Sequence, residues 1–156
     1  MEFKPHHVAI SVKDIKTSKQ FYEIFGFREV FSYSDRDMSI VQLKLGNFIL
    51  EIFSFKDEKQ RGTLPLWEEL KITGVKHFAL QVQDINKALK FLQEKGIISG
   101  NTKINTGKSG IKYFFIQDPD GIYVEIVEDK RTFLGETNEK KPQDRQDKQS
   151  TQTGNQ

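Results

Sequence analysis

The chain has no cysteine among its 156 residues. That excludes a disulfide framework, a thiolate nucleophile and any sulfur-ligated zinc site. It also lacks an apolar run approaching the roughly 18 residues that a membrane-spanning helix needs, and residues 1–8, MEFKPHHV, have no apolar stretch of the kind that starts a secretory signal. Nor is there an excess of one charge: 24 basic and 22 acidic residues leave a formal +2. Because the basic residues are interspersed with acidic ones, no stripe is available for nucleic acid or an anionic membrane surface. These absences together lead to the expectation of a cytoplasmic protein that works on small molecules.

What is present is a repeat. Residues 7–27, HVAISVKDIKTSKQFYEIFGF, align without gaps on residues 77–97, HFALQVQDINKALKFLQEKGI, sharing His, Ala, Val, Asp, Ile, Phe and Gly at equivalent places. Each copy reads as a strand, an N-capping aspartate (Asp14, Asp84), and a helix that stops at a glycine (Gly26, Gly96). Side chains alternate across a strand, so Val8, Ile10 and Val12 share one face and His7, Ala9 and Ser11 the other; Phe78, Leu80 and Val82 likewise oppose His77, Ala79 and Gln81. The apolar faces suit the helices, and the histidine faces suit the lining of a cavity.

Each copy then becomes strand-like again, through SIVQLKLGNFILEIFSF and IKYFFIQDPDGIYVEIVED, with turns at Gly46 and at 118–121. Both final strands carry one glutamate between apolar neighbours, Glu51 and Glu125. The expected class is therefore α+β: two tandem βαβββ modules, about 5–56 and 74–129, joined by a linker over 57–73 within a single domain over 1–134. Residues 135–156 contain no large apolar side chain; such a segment cannot bury enough surface to offset ordering entropy and is expected to be a disordered polar tail.

One histidine in a strand is ordinarily a hydrogen-bonded core or surface residue. Duplication alters that reading, because two imidazoles and two carboxylates on equivalent faces can meet. Two carboxylates buried together require a compensating cation or proton, and two Glu with two neutral His balance a +2 ion. Nitrogen and oxygen donors without sulfur suit Zn, Ni, Fe, Mn or Co.

The paired modules, with HHVAISVKDI, FYEIFGF, ILEIF, VKHFAL and FFIQDPDGIYVEIVE, resemble the vicinal oxygen chelate superfamily, which includes glyoxalase I, methylmalonyl-CoA epimerase, extradiol dioxygenases, fosfomycin-resistance enzymes and bleomycin-binding proteins. The resemblance implies a curved mixed sheet around a metal-bearing cleft, helices on its outer face, and His7, Glu51, His77 and Glu125 at the ligand positions. His6 is adjacent, but the repeat register selects His7. The full quartet is most similar to glyoxalase I; the epimerase usually places Gln at the Glu51 position, and bleomycin-binding proteins lack the set.

By that resemblance the chain is a divalent-metal lyase or isomerase, with Zn or Ni foremost. It acts on a small α-oxo substrate through an enediolate, with Glu125 as first candidate for the base and Glu51 as second, in a homodimer. The glyoxalase pattern is broken at Ser11 and Phe55, where bacterial enzymes carry an Arg and an Asn that contact glutathione, so the thiol is left open. Ser11, Phe55, Trp67, Gln81, Tyr113 and Phe115 are the expected pocket residues, with Trp67 first read as an anchor of the linker helix. The competing readings are an antibiotic-resistance transferase or dioxygenase of the same superfamily, and a metal-free drug-binding protein.

Overall fold

A computed structural model describes residues 1–59 and 62–131; the expected tail over 135–156 lies outside them. Among the described residues no helix is long and apolar enough to cross a membrane.

The first module runs β1 (His7–Ser11), α1 (Ile15–Glu23), β2 (Arg28–Ser34), β3 (Met38–Leu45) and β4 (Phe48–Phe55). A short helix, α2 (Leu66–Lys71), separates it from β5 (His77–Gln81), α3 (Ile85–Glu94), β6 (Asn105–Thr106), β7 (Lys112–Gln117) and β8 (Tyr123–Glu128). Each module supplies its own four-stranded mixed sheet, ordered β1-β4-β3-β2 and β5-β8-β7-β6. In both, the first and last strands pair in parallel and all other pairs are antiparallel.

Local signals start and stop the helices. The Asp14 carboxylate accepts from Thr17 N at 2.6 Å, and that of Asp84 accepts from Asn86 N and Lys87 N at 3.0 and 3.1 Å, satisfying amides that the first helical turn leaves without partners. Past the helices Gly26 and Gly96 adopt φ of 93° and 70°. Between β3 and β4 the two-residue turn of Gly46 and Asn47 puts φ of 56° on its first residue, a value open to glycine and costly for a side chain with a Cβ. That turn sets Leu45 opposite Phe48, and counting outward from it sets Gln42 opposite Glu51.

The helices cover the sheet faces carrying Leu50, Ile52, Val124 and Ile126, all of which are fully buried. One apolar core spans both modules. Tyr22 and Phe48 from the first meet Phe78 from the second through ring contacts, Tyr22–Phe78 at 6.1 Å and Phe48–Phe78 at 5.8 Å, with Phe27 packed against both Tyr22 and Phe48. Each such side chain contributes about 1.5–3 kcal/mol on burial. A polar latch reinforces the joint. The Tyr22 hydroxyl donates to Asp118 Oδ2 at 2.8 Å, and Lys13 N donates to Asp120 Oδ1 at 3.2 Å, so that α1 and the end of β1 are tied to the turn before β8.

Candidate metal centre

With Leu50, Ile52, Val124 and Ile126 committed to the core, strand alternation turns Glu51 and Glu125 to the opposite faces. The parallel register then sets Ala9 beside Glu51 and Ala79 beside Glu125, with His7 and His77 two residues earlier on the same faces. Small alanines leave room for each imidazole to approach its carboxylate. His7 Nε2 lies 3.6 Å from Glu51 Oε2, and His77 Nε2 lies 3.2 Å from Glu125 Oε2. The glutamates are the better shielded members, 17% and 13% exposed against 41% and 28% for the histidines.

The four side chains thus meet as two pairs. Among the described residues no three of His, Asp and Glu gather around one point, so the quartet is not assembled within one chain. The physical reason is that the modules are held together by their core and the Tyr22 latch, which leaves each histidine face with its own sheet.

The surroundings of the pairs differ. Glu51 Oε1 accepts a 2.7 Å hydrogen bond from Gln42 Nε2, and His7 Nδ1 lies 2.9 Å from His6 Nδ1 with the two rings edge to face. Opposite Glu125 stands Phe115, whose ring is 5.0 Å from that of His77 at 83° and also meets Tyr113 and Tyr123. His77 Nδ1 is buried with no hydrogen-bond partner.

Each pair could hold half of a divalent ion's coordination sphere. Adjacent donors around an ion with bonds of about 2.1 Å stand roughly 3.0 Å apart in an octahedron and about 3.4 Å apart in a tetrahedron, and the observed 3.6 and 3.2 Å are within a few tenths of an ångström of that range. Imidazole nitrogen with carboxylate oxygen suits the borderline divalent metals. Two such pairs supply −2 against a +2 ion, whereas one pair alone leaves an open half.

The expected pocket residues separate into groups. Ser11 and Phe55 line a cleft of about 680 Å³ along the seam between β1 and β5, together with His77, Tyr123, Lys13 and Asp120. Phe55 stacks on Phe53 at 6.1 Å and 8°. Tyr113 and Phe115 lie outside that cleft; Phe115 stands opposite Glu125, and Tyr113, opposite Val127, meets the Phe115 ring. Gln81 is turned to the Asp129 carbonyl, to which its Nε2 donates at 3.2 Å. Trp67 neither lines the cleft nor anchors α2; it is 72% exposed because this six-residue helix buries Glu69 instead.

Gln42 escaped the sequence reading. Its signal was the polar residue inside SIVQLKL, which the two-residue turn at Gly46 registers opposite Glu51.

The family model described as Glyoxalase/Bleomycin resistance protein/Dioxygenase superfamily matches residues 4–126, and the chain belongs to that superfamily. A glyoxalase family protein from Enterococcus faecalis superposes with a TM-score of 0.68 at 32% identity, over 80% of this chain and 97% of that one. The uncharacterized protein YwkD of Bacillus subtilis is 33% identical over 79% of this chain and 94% of its own length. Human mitochondrial methylmalonyl-CoA epimerase is 30% identical over 78% of this chain and 71% of its own length. More distant relatives include lactoylglutathione lyases.

Proposed function

We propose that the protein is a divalent-metal-dependent lyase or isomerase of the glyoxalase I kind. It works as a homodimer in which His7 and Glu51 of one copy and His77 and Glu125 of a second hold one ion. The observation that carries this reading is the pair of His–Glu couples at coordination spacing, in equivalent register, each supplying half a donor set. A two-fold axis that brings the first module of one copy to the second module of the other completes two centres at once. The face of the first sheet supports such an arrangement. Phe31 and Tyr33, opposite Gln42 and Ile40 and so on the Glu51 side, are each 49% exposed in the single chain, which leaves apolar surface for a second copy to cover.

The reaction is proton transfer at a carbon next to a carbonyl. When bound, a divalent ion supplies the positive charge that stabilises the negative charge developing on the substrate oxygens. Glu125 removes the proton and returns it to the neighbouring carbon, so that no net oxidation or reduction occurs. Its place beside Phe115 and the buried edge of His77 keeps that proton from exchanging with water. The substrate class is a small α-oxo compound presented as its thiol adduct, with neither Arg nor Asn at Ser11 and Phe55 to select glutathione.

A second reading has a specific observation behind it. The similarity to the human epimerase favours proton transfer beside a thioester carbonyl, chemistry the same base could perform; Glu51, where the epimerase pattern has Gln, favours the first.

Metal analysis of protein purified without chelator is expected to find about one divalent ion per chain, lost in His77→Ala. Mixing two inactive variants, His7→Ala and His77→Ala, tests the shared centre: one of the two sites in a mixed dimer is intact, so activity toward methylglyoxal with a panel of thiols returns. Absence of any bound ion in the wild-type protein, or no recovery on mixing variants shown to exchange subunits, refutes this reading. Bound metal with turnover only on a branched acyl thioester selects the epimerase.

A further inference from the structure

The two halves of the repeat differ at one cross-strand position. Opposite Glu51 the chain places Gln42, whose Nε2 donates to Oε1 at 2.7 Å; opposite Glu125 it places Phe115, which has nothing to donate. The bond occupies one carboxylate oxygen of Glu51 and leaves Oε2, the oxygen 3.6 Å from His7 Nε2, as the free donor. Held this way, the carboxylate cannot rotate to exchange its oxygens without breaking a hydrogen bond to a charged acceptor, which is among the stronger kinds. Among the described residues His77 is the one polar partner of the Glu125 carboxylate.

The histidines follow the same asymmetry. When His7 Nε2 offers its lone pair, its proton sits on Nδ1, and His6 Nδ1 is 2.9 Å away to accept it. When His77 does the same, its Nδ1 is buried with no partner. A ligating imidazole is ordinarily oriented by the group on its other nitrogen, and a ligating carboxylate by a second hydrogen bond. The first module has both devices, and the second has neither.

We infer that Gln42 is a positioning residue that holds Glu51 in a one-oxygen, ligand-ready orientation, making the first module the prearranged half of the metal centre. The inference rests on the reading of His7, Glu51, His77 and Glu125 as one ion's ligands.

Gln42→Leu removes the donor at nearly constant volume. Titration of the metal-free full chain with Co²⁺ is expected to show binding weakened about 10- to 100-fold, the usual effect of removing a hydrogen-bond partner of a ligand. The same factor should appear when Gln42→Leu is introduced into Glu125→Gln protein, because the clamp acts only on Glu51. Two readouts separate positioning from structure. The visible absorption of the Co²⁺-loaded variant should change, since a released carboxylate alters the coordination, while the thermal midpoint of the metal-free protein should stay near the wild-type value. A Kd equal to that of the wild type, or a weakened Kd with an unchanged Co²⁺ spectrum and a lowered metal-free midpoint, overturns the inference and leaves the proposed function standing. Wild-type protein that binds no Co²⁺ overturns both.

Discussion

Glu51 and Glu125 hold the same place in the two copies of the repeat, yet their neighbours differ. Glu51 is clamped by Gln42, while Glu125 lies between Phe115 and His77 with no amide against it among the described residues. A clamped carboxylate suits a ligand; on the proposed function, the unclamped and better shielded Glu125 suits a proton carrier. Glu125→Gln is therefore expected to retain a bound divalent ion, through three intact donors and an amide oxygen, while turnover falls by about 10²–10⁴-fold, the range general-base catalysis contributes. Metal content and kcat measured on the same preparation check this, and loss of the ion together with activity would make Glu125 chiefly a ligand. The candidacy of the four residues is legible because each copy of the repeat displays one His and one Glu at equivalent places. Gln42 was not, because nothing repeats it: the equivalent position is Phe115.

At the scale of elements, the helices begin where the sequence marks them. The Asp14 carboxyl is held below its ordinary 3.8 by its hydrogen bonds from Thr17, and that of Asp84 by the Lys87 and Asn86 amides. Both groups bind their proton more weakly folded than unfolded. Their stabilisation is thus complete above about pH 3.8 and is lost as pH falls through the lower folded values. Burial pushes the Asp118 carboxyl the other way, up from 3.8, so its contribution declines as pH rises from that point. The difference between wild type and the Asp14→Ala or Asp84→Ala variants cancels the Asp118 effect. Urea midpoints are expected to separate by a constant amount from pH 7 to about pH 5 and to converge toward pH 2. A gap that stays constant to pH 2 would remove the caps from the account. Caps, turn glycines and strand alternation could be read in advance because they act over two to five residues. The irregularity of β2, where pairing with β3 shifts between Glu29 and Phe31, could not, since it depends on how the edge strand fits a twisted sheet.

For the molecule as a whole, the decisive contact is the joint between modules. Tyr22 is completely buried, and its hydroxyl reaches a carboxylate 96 positions away in the sequence. Tyr22→Phe keeps the ring contacts with Phe27 and Phe78 and deletes only that bond. A hydrogen bond to a buried charged acceptor is worth about 1.5–3 kcal/mol, so urea unfolding should show a loss of that size in one cooperative transition. Two separated transitions would mean that the modules unfold independently and that the latch does not unite them.

The sequence by itself determined the βαβββ repeat, the capped helices, the parity that turns His7, Glu51, His77 and Glu125 away from the core, and the superfamily. All of these follow from periodicity, turn chemistry and short-range hydrogen bonding, repeated twice over. Only the tertiary structure decided that the four side chains form two couples 3.6 and 3.2 Å apart and not one cluster, that Gln42 braces one of them, and that Trp67 faces solvent. The reason is that the relative placement of two sheets is set by packing of Tyr22, Phe48 and Phe78 and by the Asp118 latch, contacts between distant residues that no local pattern encodes.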